Sequence, residues 1–373
     1  MTWREYETGL EDRLIDLHNR VHRRAYRAQP SRRVYIPKAD GRQRSLGIAA
    51  LEDKIVQQAV VTTLNQIYEV DFKGFSYGFR PGRDPHQALD ALYVGLLRKR
   101  VNWVLDADIR GFFGSVNHEK LLTLVAQQVA DGRVLRLIRA MLKAGSWCEG
   151  RLSPTERGTP QGGVISPLLS NVLLTPFDRE MRAQGYQLTR YADDWVVTCE
   201  SEEEARAAVT AAERILAQLG VQLHSQKTRI VHIHRGFEFL GYKIKQGRPR
   251  AALQRRKLGR NGPAGKVYAY PRQKSIDRFK DQIRQRTKRR VPLSTEQIIA
   301  ELNPIVRGWG QYYKRSHARK LFTQLDAWIV RRLWSHRCKR WRCEGWKQLP
   351  QTRLYGELEL VSLLKLHLQT RSP

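Results

Sequence analysis

The stretch YADDWVVT, residues 191–198, decides how the first half of this chain folds. Apolar residues flank a short tip of Ala192, Asp193 and Asp194, a pattern that predicts a β-hairpin whose turn presents carboxylates. Aspartate is also common in ordinary turns, because its side chain satisfies nearby backbone amides. The hairpin alone leaves two interpretations open, an ordinary turn and a functional acidic site.

A second predicted strand precedes this hairpin in the chain. Apolar residues alternate with others, as a strand with one buried face requires, at Val101, Trp103, Leu105, Ala107 and Ile109. The same period places Asp106 and Asp108 together on the opposite face. Apolar residues then recur at helical spacing between Leu121 and Leu142, so the segment is predicted to be α+β.

Carboxylates from separate elements suit one kind of chemistry in particular. Two magnesium ions about 3.5–4 Å apart can stabilise the entering and leaving oxygens of phosphoryl transfer. Each ion binds through one or two carboxylates together with waters and substrate phosphates. A strand bearing Asp108 beside a hairpin bearing Asp193 and Asp194 could supply those ligands.

The charge of the chain points to a polyanionic partner. Lys and Arg number 67 against 36 Asp and Glu, a formal net charge of +31. Residues 244–347 hold 29 of the basic and six of the acidic residues. Nucleic acid is the partner that this excess favours, and solubility or adhesion to a membrane surface is the alternative.

Cysteine content and hydropathy narrow the cellular context. Cys148, Cys199, Cys338 and Cys343 form no disulfide-like framework and lack the partners of a zinc site, so free thiols are expected. No run of eighteen apolar residues occurs, so neither secretion nor a membrane span is expected. We therefore expect a cytoplasmic protein associated with nucleic acid.

An ordered set of motifs surrounds the acidic residues. Residues 157–163 read RGTPQGG and residues 166–171 read SPLLSN, ahead of the YADD tip. RVYIPK (33–38), FSYGFRPGR (75–83) and DIRGFF (108–113) come earlier, and FLGY (239–242) and LNP (302–304) come later. This order and spacing resemble the reverse transcriptase and maturase proteins of bacterial group II introns, over about nine-tenths of the chain.

The resemblance implies an α+β fold of the right-hand polymerase type. Fingers and a palm with an antiparallel sheet are expected at 33–243, followed by a basic α-helical thumb or maturase domain at 244–335. Residues 1–32 would form a short N-terminal helical segment, truncated relative to the family, and 336–373 a short remnant that could bind DNA. Ser45 and Ala49 stand where the family usually has Pro, and Gly114 where it often has Asp.

The resemblance also implies roles for individual residues. Asp108, Asp193 and Asp194 would bind two Mg²⁺ ions and catalyse deoxynucleotide addition to a primer 3′ end, with Asp106 taking no part. Phe113 would be the steric gate that collides with a 2′ hydroxyl. The remaining nucleotide-binding residues would be Lys38, Arg44, Gln161 and Lys227, of which Lys38 and Arg44 would neutralise the triphosphate.

Binding of template, primer or other RNA is expected from a set of basic residues: Arg80, Arg83, Arg284, Lys288, Arg289, Arg331 and Arg332. The expected partners are RNA template, intron RNA, a DNA primer or target, and deoxynucleoside triphosphates. Trp309, Tyr312 and Tyr313 could stack on bases or fill a helical core. Two alternatives remain, a splicing maturase with little polymerase activity and a free-standing or defence-associated reverse transcriptase.

Overall fold

The computed structural model describes residues 2–37, 41, 43–98, 100–247, 266–339 and 345–369. The chain divides into two compact units, Met1–His232 and Ile233–Pro373, here called the N-terminal and C-terminal units. The domain boundaries expected after residues 32, 243 and 335 stay predictions. Lys38 and Cys343 lie outside the described residues.

The N-terminal unit mixes helices with two sheets. Its helices are α1 (Trp3–Glu7), α2 (Leu10–His22), α3 (Leu51–Tyr68), α4 (Pro85–Arg98), α5 (Phe112–Ser115), α6 (His118–Ala126), α7 (Gly132–Lys143), α8 (Ser166–Ala183) and α9 (Glu202–Gln218). Its strands are β1 (Ser31–Pro37), β2 (Gln43–Ile48), β3 (Trp103–Asp108), β4 (Ser146–Cys148), β5 (Arg151–Ser153), β6 (Gln187–Tyr191), β7 (Asp194–Cys199) and β8 (Arg229–His232).

The two sheets of this unit differ in strand direction. The first has the order β2-β1-β4-β5, and its β1 and β4 pair in parallel. The second has the order β6-β7-β3-β8, and all of its neighbouring strands are antiparallel. The second sheet therefore has the antiparallel character that the family resemblance implies for a palm.

Strand β3 lies in the middle of the second sheet and differs from its prediction in one respect. Leu105 and Ala107 are buried in the main core, as expected. Val104 points to the other face and is also fully buried, so β3 is covered on both faces near its start. That second face becomes half-buried only towards its end, at Asp106 and Asp108.

Helix α8 packs through the centre of the N-terminal unit. It begins at Ser166, with Pro167 in its first turn, where the missing proline N–H costs no helical hydrogen bond. Apolar residues occur all around its axis and are almost all buried, as expected for a helix enclosed by other elements. Helix α8 contacts α3, α6, α9 and β6, so it connects the hairpin of β6 and β7 to the core.

The C-terminal unit combines a small sheet with helices. Strands β9 (Phe237–Phe239), β10 (Tyr242–Gln246) and β11 (Val267–Pro271) form an antiparallel sheet in the order β11-β10-β9. The helices are α10 (Gln273–Arg286), α11 (Thr295–Tyr313), α12 (Arg319–Arg337), α13 (Gly345–Gln348), α14 (Gln351–Tyr355) and α15 (Leu363–Gln369). Ser294, three residues before Gln297 and ahead of the apolar Ile298, Ile299 and Leu302, predicts a capping box, and this box is confirmed at the start of α11. Among the described helices, none is long and apolar enough to cross a bilayer.

Candidate active site and nucleic-acid interface

Strand pairing gathers the predicted acidic residues at one end of the antiparallel sheet. Asp108, the last residue of β3, is the register partner of Asp194, the first residue of β7. Residues paired in this way have Cα atoms about 4.5–5.5 Å apart. Asp193 precedes Asp194 in the turn between β6 and β7. The structure therefore brings together the three residues that the sequence places far apart.

The turn that carries Asp193 has an unusual backbone. Ala192 has a φ of +59°, the left-handed conformation that short hairpin turns require and that glycine usually supplies. Ala192 is also buried, with Gly78 packed against it. A Cβ at residue 78 would lie 2.9 Å from the carbonyl carbon of Tyr191 and closer still to the Ala192 nitrogen. Gly78, the first glycine of the FSYGFRPGR motif, thus permits close backbone approach to the acidic turn.

Several charges meet at Asp193. Burial raises the pKa of its carboxyl group, and the negative charge of Asp108 raises this pKa further. Lys227 and Arg44 act in the opposite direction and lower the pKa. The carboxylates of Asp193 and Asp108 repel each other, and the cations Lys227 and Arg44 lie close to them. Added positive charge is therefore favourable at this site.

Lys227 is held at this site by the segment that follows α9. The backbone of the segment is attached to the end of β3, because Arg110 N donates to Gln222 O (2.8 Å) and His224 N donates to Asp108 O (2.8 Å). The Lys227 ammonium group forms an ion pair with the Asp108 carboxylate. The structure thus places Lys227 directly against one of the predicted metal ligands.

Arg44 and Gln161 come together at a polar cleft. Arg44 Nε donates to Gln161 Oε1 at 3.3 Å, and Gly47 N donates to Gln161 O at 2.7 Å. Gly162 has a φ of +105°, and a Cβ there would lie 3.0 Å from Gly47 O, so this close approach requires glycine. The adjoining cavity of about 330 Å³ is lined by Arg33, Arg44, Gln161 and Arg157 among others.

Phe113 is largely buried and directly precedes Gly114, one of the residues that line this cleft. Its ring packs against the ring of Phe112, with centroids 5.5 Å apart, and meets the ring of Phe79 edge to face at 6.3 Å. Its carbonyl accepts a hydrogen bond from Thr159 N at 2.6 Å. The RGTPQGG loop is therefore attached directly to the backbone of the predicted gate residue.

A buried polar network beneath the acidic turn was not predicted from the sequence. Arg190 forms two hydrogen bonds to Asp178, of 2.7 and 2.6 Å, and both side chains are buried. Arg190 also donates to Ala192 O at 2.9 Å and to Asn171 Oδ1 at 3.1 Å, while Asn171 donates to Gly78 O at 2.8 Å. The network thus joins α8 to the backbone of the acidic turn at Ala192 and to the backbone of Gly78, which packs against that turn.

A sequence signal for this network did exist. Leu188 and Arg190 are two residues apart and therefore share one face of the strand. The charged Arg190 thus occupies a position where an apolar residue is expected. Asp178 likewise interrupts the apolar surface of α8. Buried charges are normally paired, so two such interruptions predict an ion pair.

The prediction for Arg80 is corrected by the structure. Its side chain is 3% exposed and forms an ion pair with Glu69, at 2.6 Å. Its Nη1 also donates to Lys73 O and Ser76 O, each at 2.7 Å. With these donors occupied inside the fold, Arg80 stabilises the loop rather than presenting charge to nucleic acid. Arg83 remains exposed, and its guanidinium lies over the Tyr77 ring.

The basic residues predicted in the C-terminal unit divide into two groups. Arg284, Lys288, Arg289 and Arg331 are exposed. Arg332 is half-buried and donates to Thr287 O at 2.9 Å and to Arg284 O at 3.4 Å, at the end of α10. Arg332, predicted to bind RNA with the other four, directs its guanidinium to carbonyls that the end of a helix leaves unpaired.

The aromatic residues of α11 pack within the C-terminal unit, with Tyr313 buried and Trp309 and Tyr312 half-buried. Trp309 stacks on Phe279 with centroids 4.7 Å apart, and its Nε1 donates to Ser275 Oγ at 3.2 Å. Tyr312 donates to Leu240 O at 2.8 Å and Tyr313 to Gly241 O at 3.1 Å. These contacts favour the core interpretation over base stacking, and they attach the FLGY motif to α11.

Two aspartates in register on an antiparallel sheet, with a third in the adjoining turn, define the palm of a nucleic-acid polymerase. The family model described as "Reverse transcriptase (RNA-dependent DNA polymerase)" matches residues 36–244. The model described as "Group II intron, maturase-specific domain" matches residues 276–354. The chain belongs to the reverse transcriptase family and carries the maturase-specific domain of group II intron proteins. The family and the α+β fold class predicted from the motifs are thus confirmed.

Similar proteins include several with intron-related names. Protein YkfC of Escherichia coli (strain K12) is 33% identical over 279 residues, covering 65% of this chain and 71% of that protein. An uncharacterized 91 kDa protein in the cob intron of Schizosaccharomyces pombe is 28% identical, covering 81% and 45%. The group II intron-encoded protein LtrA of Lactococcus lactis subsp. cremoris is 39% identical, covering 41% and 26%. The chain spans less than half the length of the last two.

Proposed function

We propose that this protein copies RNA into DNA, adding deoxynucleotides to a primer 3′ end. The observation that carries the proposal is the pairing of Asp108 with Asp194 across β3 and β7, with Asp193 in the adjoining turn. Membership of the reverse transcriptase family supports the same reaction. An RNA template, a DNA primer and deoxynucleoside triphosphates are the proposed substrates.

The acidic residues suit magnesium better than a metal that requires a closed cage. Strand pairing brings Asp108 and Asp194 together beside Asp193, but within the described residues the three carboxylates do not form a closed set of ligands by themselves. Magnesium requires fewer protein ligands, because waters and substrate phosphates complete its octahedral shell. Asp108, Asp193 and Asp194 would hold two Mg²⁺ ions, which would activate the primer hydroxyl and stabilise the leaving pyrophosphate.

The surrounding side chains fit the remaining tasks of nucleotide addition. Arg44 and Gln161, which contact each other at the polar cleft, would bind the incoming triphosphate. The Lys227 ammonium group would remain close enough to neutralise negative charge that develops on the transferred phosphate. Phe113 would support the sugar and exclude a 2′ hydroxyl. Lys38, predicted to act with Arg44, lies outside the described residues.

Primer extension on an RNA template tests the proposal, with Asp193→Asn and Asp106→Asn as a matched pair. Both residues are half-buried aspartates of the same sheet region, but Asp106 pairs with Val196 and Arg229, two register positions before the pair of Asp108 and Asp194. We expect Asp193→Asn to abolish extension and Asp106→Asn to retain it. Normal extension by Asp193→Asn would remove the acidic cluster from the mechanism.

We also propose that the C-terminal unit binds folded intron RNA, as a splicing maturase would. The match to the maturase-specific domain and the exposed Arg284, Lys288, Arg289 and Arg331 support this role. Such binding should weaken steeply with salt, because each neutralised phosphate releases counterions. Filter binding at several salt concentrations, with group II intron RNA and a length-matched unrelated RNA, tests it. Equal affinity for the two RNAs would contradict a maturase role.

A further inference from the structure

Phe79 has a backbone conformation that bulky residues avoid. Its φ is +61°, where the Cβ crowds the following carbonyl oxygen. Both flanks of the residue are fixed by other contacts. Gly78 O accepts a hydrogen bond from Asn171, and the Arg80 guanidinium is bound by Glu69. The surrounding loop therefore forces residue 79 into the strained conformation, which is the setting in which strain accompanies function.

The Phe79 side chain is also unusually exposed for its size. It is 45% exposed, whereas Phe113 beside it is only 9% exposed. The two rings meet edge to face, with centroids 6.3 Å apart and planes at 69°. Phe113 alone therefore offers little surface to a ligand, and most of the apolar surface at this point belongs to Phe79.

The position of this ring relates it to the acidic turn. The preceding residue, Gly78, packs against the backbone of Tyr191 and Ala192, next to Asp193. Phe113 follows Asp108 by five residues. The backbone of residue 78 and the ring of residue 79 thus contact the two segments that carry the predicted metal ligands and the predicted gate.

We propose that Phe79 is a specificity-determining residue, which forms with Phe113 the apolar wall that contacts the sugar of the incoming nucleotide. This inference rests on the proposed polymerase function. The strained backbone directs the ring towards the site instead of the interior, and its edge-to-face contact with the Phe113 ring holds the gate residue in position. Loss of the ring enlarges the pocket and frees Phe113 to move away from a 2′ hydroxyl.

The variants Phe79→Ala and Phe79→Gly test this role together. Both remove the ring, but only glycine also removes the strain at positive φ. We expect both to lower the ratio of kcat/KM for a deoxynucleotide to that for its ribonucleotide by about tenfold, as for a lost apolar contact in a pocket. We expect the glycine variant to melt at a higher temperature than the alanine variant.

Arg24 supplies the matched control, because it is exposed and has the same φ of +61°. Arg24→Gly should melt above Arg24→Ala, with the nucleotide preference of the wild type in both. If the wild type extends primers and both Phe79 variants keep its preference, the inference is overturned while the polymerase function stands. If the wild type extends no primer on RNA, the proposed function fails and the inference fails with it.

Discussion

Arg190 and Asp178 form an ion pair that is closed to solvent and lies directly beneath the acidic turn. The pair connects the centre of α8 to the end of β6, and Arg190 continues the connection to the carbonyl of Ala192. Hydrogen bonds to charged groups are stronger than neutral ones, so this arrangement should hold the turn in a single geometry. The positions of Asp193 and Asp194 thus depend on residues that would touch neither metal nor nucleotide.

Replacement of Asp178 should destabilise the protein strongly. Asp178→Ala leaves the Arg190 charge buried without its partner, which typically costs about 3–5 kcal/mol. Urea unfolding monitored by tryptophan fluorescence measures the change. Glu202→Gln is the control, because it breaks the exposed pair with Arg206, and exposed pairs contribute about 0–1 kcal/mol. Equal losses of unfolding free energy in the two variants would contradict the claim that the buried pair of Arg190 and Asp178 stabilises the fold more than an exposed pair does.

Removal of Lys227 should change the magnesium dependence of extension. In Lys227→Gln, Asp108 loses the ammonium group that competes with a metal ion for the same carboxylate. Half-saturation should therefore occur at a Mg²⁺ concentration lower by about twofold to fivefold, as for a partly exposed ion pair. The maximal rate should also fall, because positive charge near the transferred phosphate is lost.

A magnesium titration of primer extension measures both changes. Lys120→Gln provides the control, since Lys120 is an exposed lysine of the same unit that bonds to Gln218 O. An unchanged half-saturating concentration in Lys227→Gln would show that the ion pair with Asp108 does not compete with metal binding.

Two adjacent arginines of α12 should behave in opposite ways. Arg331→Ala should lower RNA affinity and reduce the slope of log K against log salt by about 1, with little change in melting temperature. Arg332→Ala should lower the melting temperature, because the carbonyls of Thr287 and Arg284 lose their donor. Salt-dependent RNA binding and thermal unfolding of both variants measure these effects. A reversed pattern would contradict an RNA-binding role for Arg331 and a stabilising role for Arg332.

Gly78→Ala should disable the active site through steric conflict. The added Cβ would overlap the backbone of Tyr191 and Ala192, so the acidic turn would have to move. We expect a loss of primer extension of at least about a hundredfold, since small displacements of reacting groups are costly. Gly74→Ala is the control in the same loop, because a Cβ there meets nothing within 4 Å. Full activity of Gly78→Ala would exclude a tight contact at this point.

The sequence predicted those features that depend on local pattern. Alternating apolar residues indicated β3, the hairpin tip indicated its turn, and Ser294 with Gln297 indicated the start of α11. Features that depend on a distant partner were missed or misread. Arg80 looks like a surface cation until Glu69 and two carbonyls bind it. Arg332 depends in the same way on the end of α10, and Arg190 on α8.

The pairing of Asp108 with Asp194 also links the geometry of the reaction to the burial of the sheet. A shift of one residue between β3 and β7 would turn Leu105 and Ala107 away from the core while it separated the two carboxylates. Burial of Leu105 and Ala107 thus fixes the strand register that places Asp108 opposite Asp194. The two carboxylates therefore cannot move apart by a register shift while the core stays intact. A mispaired sheet should lose its activity and its packed core together.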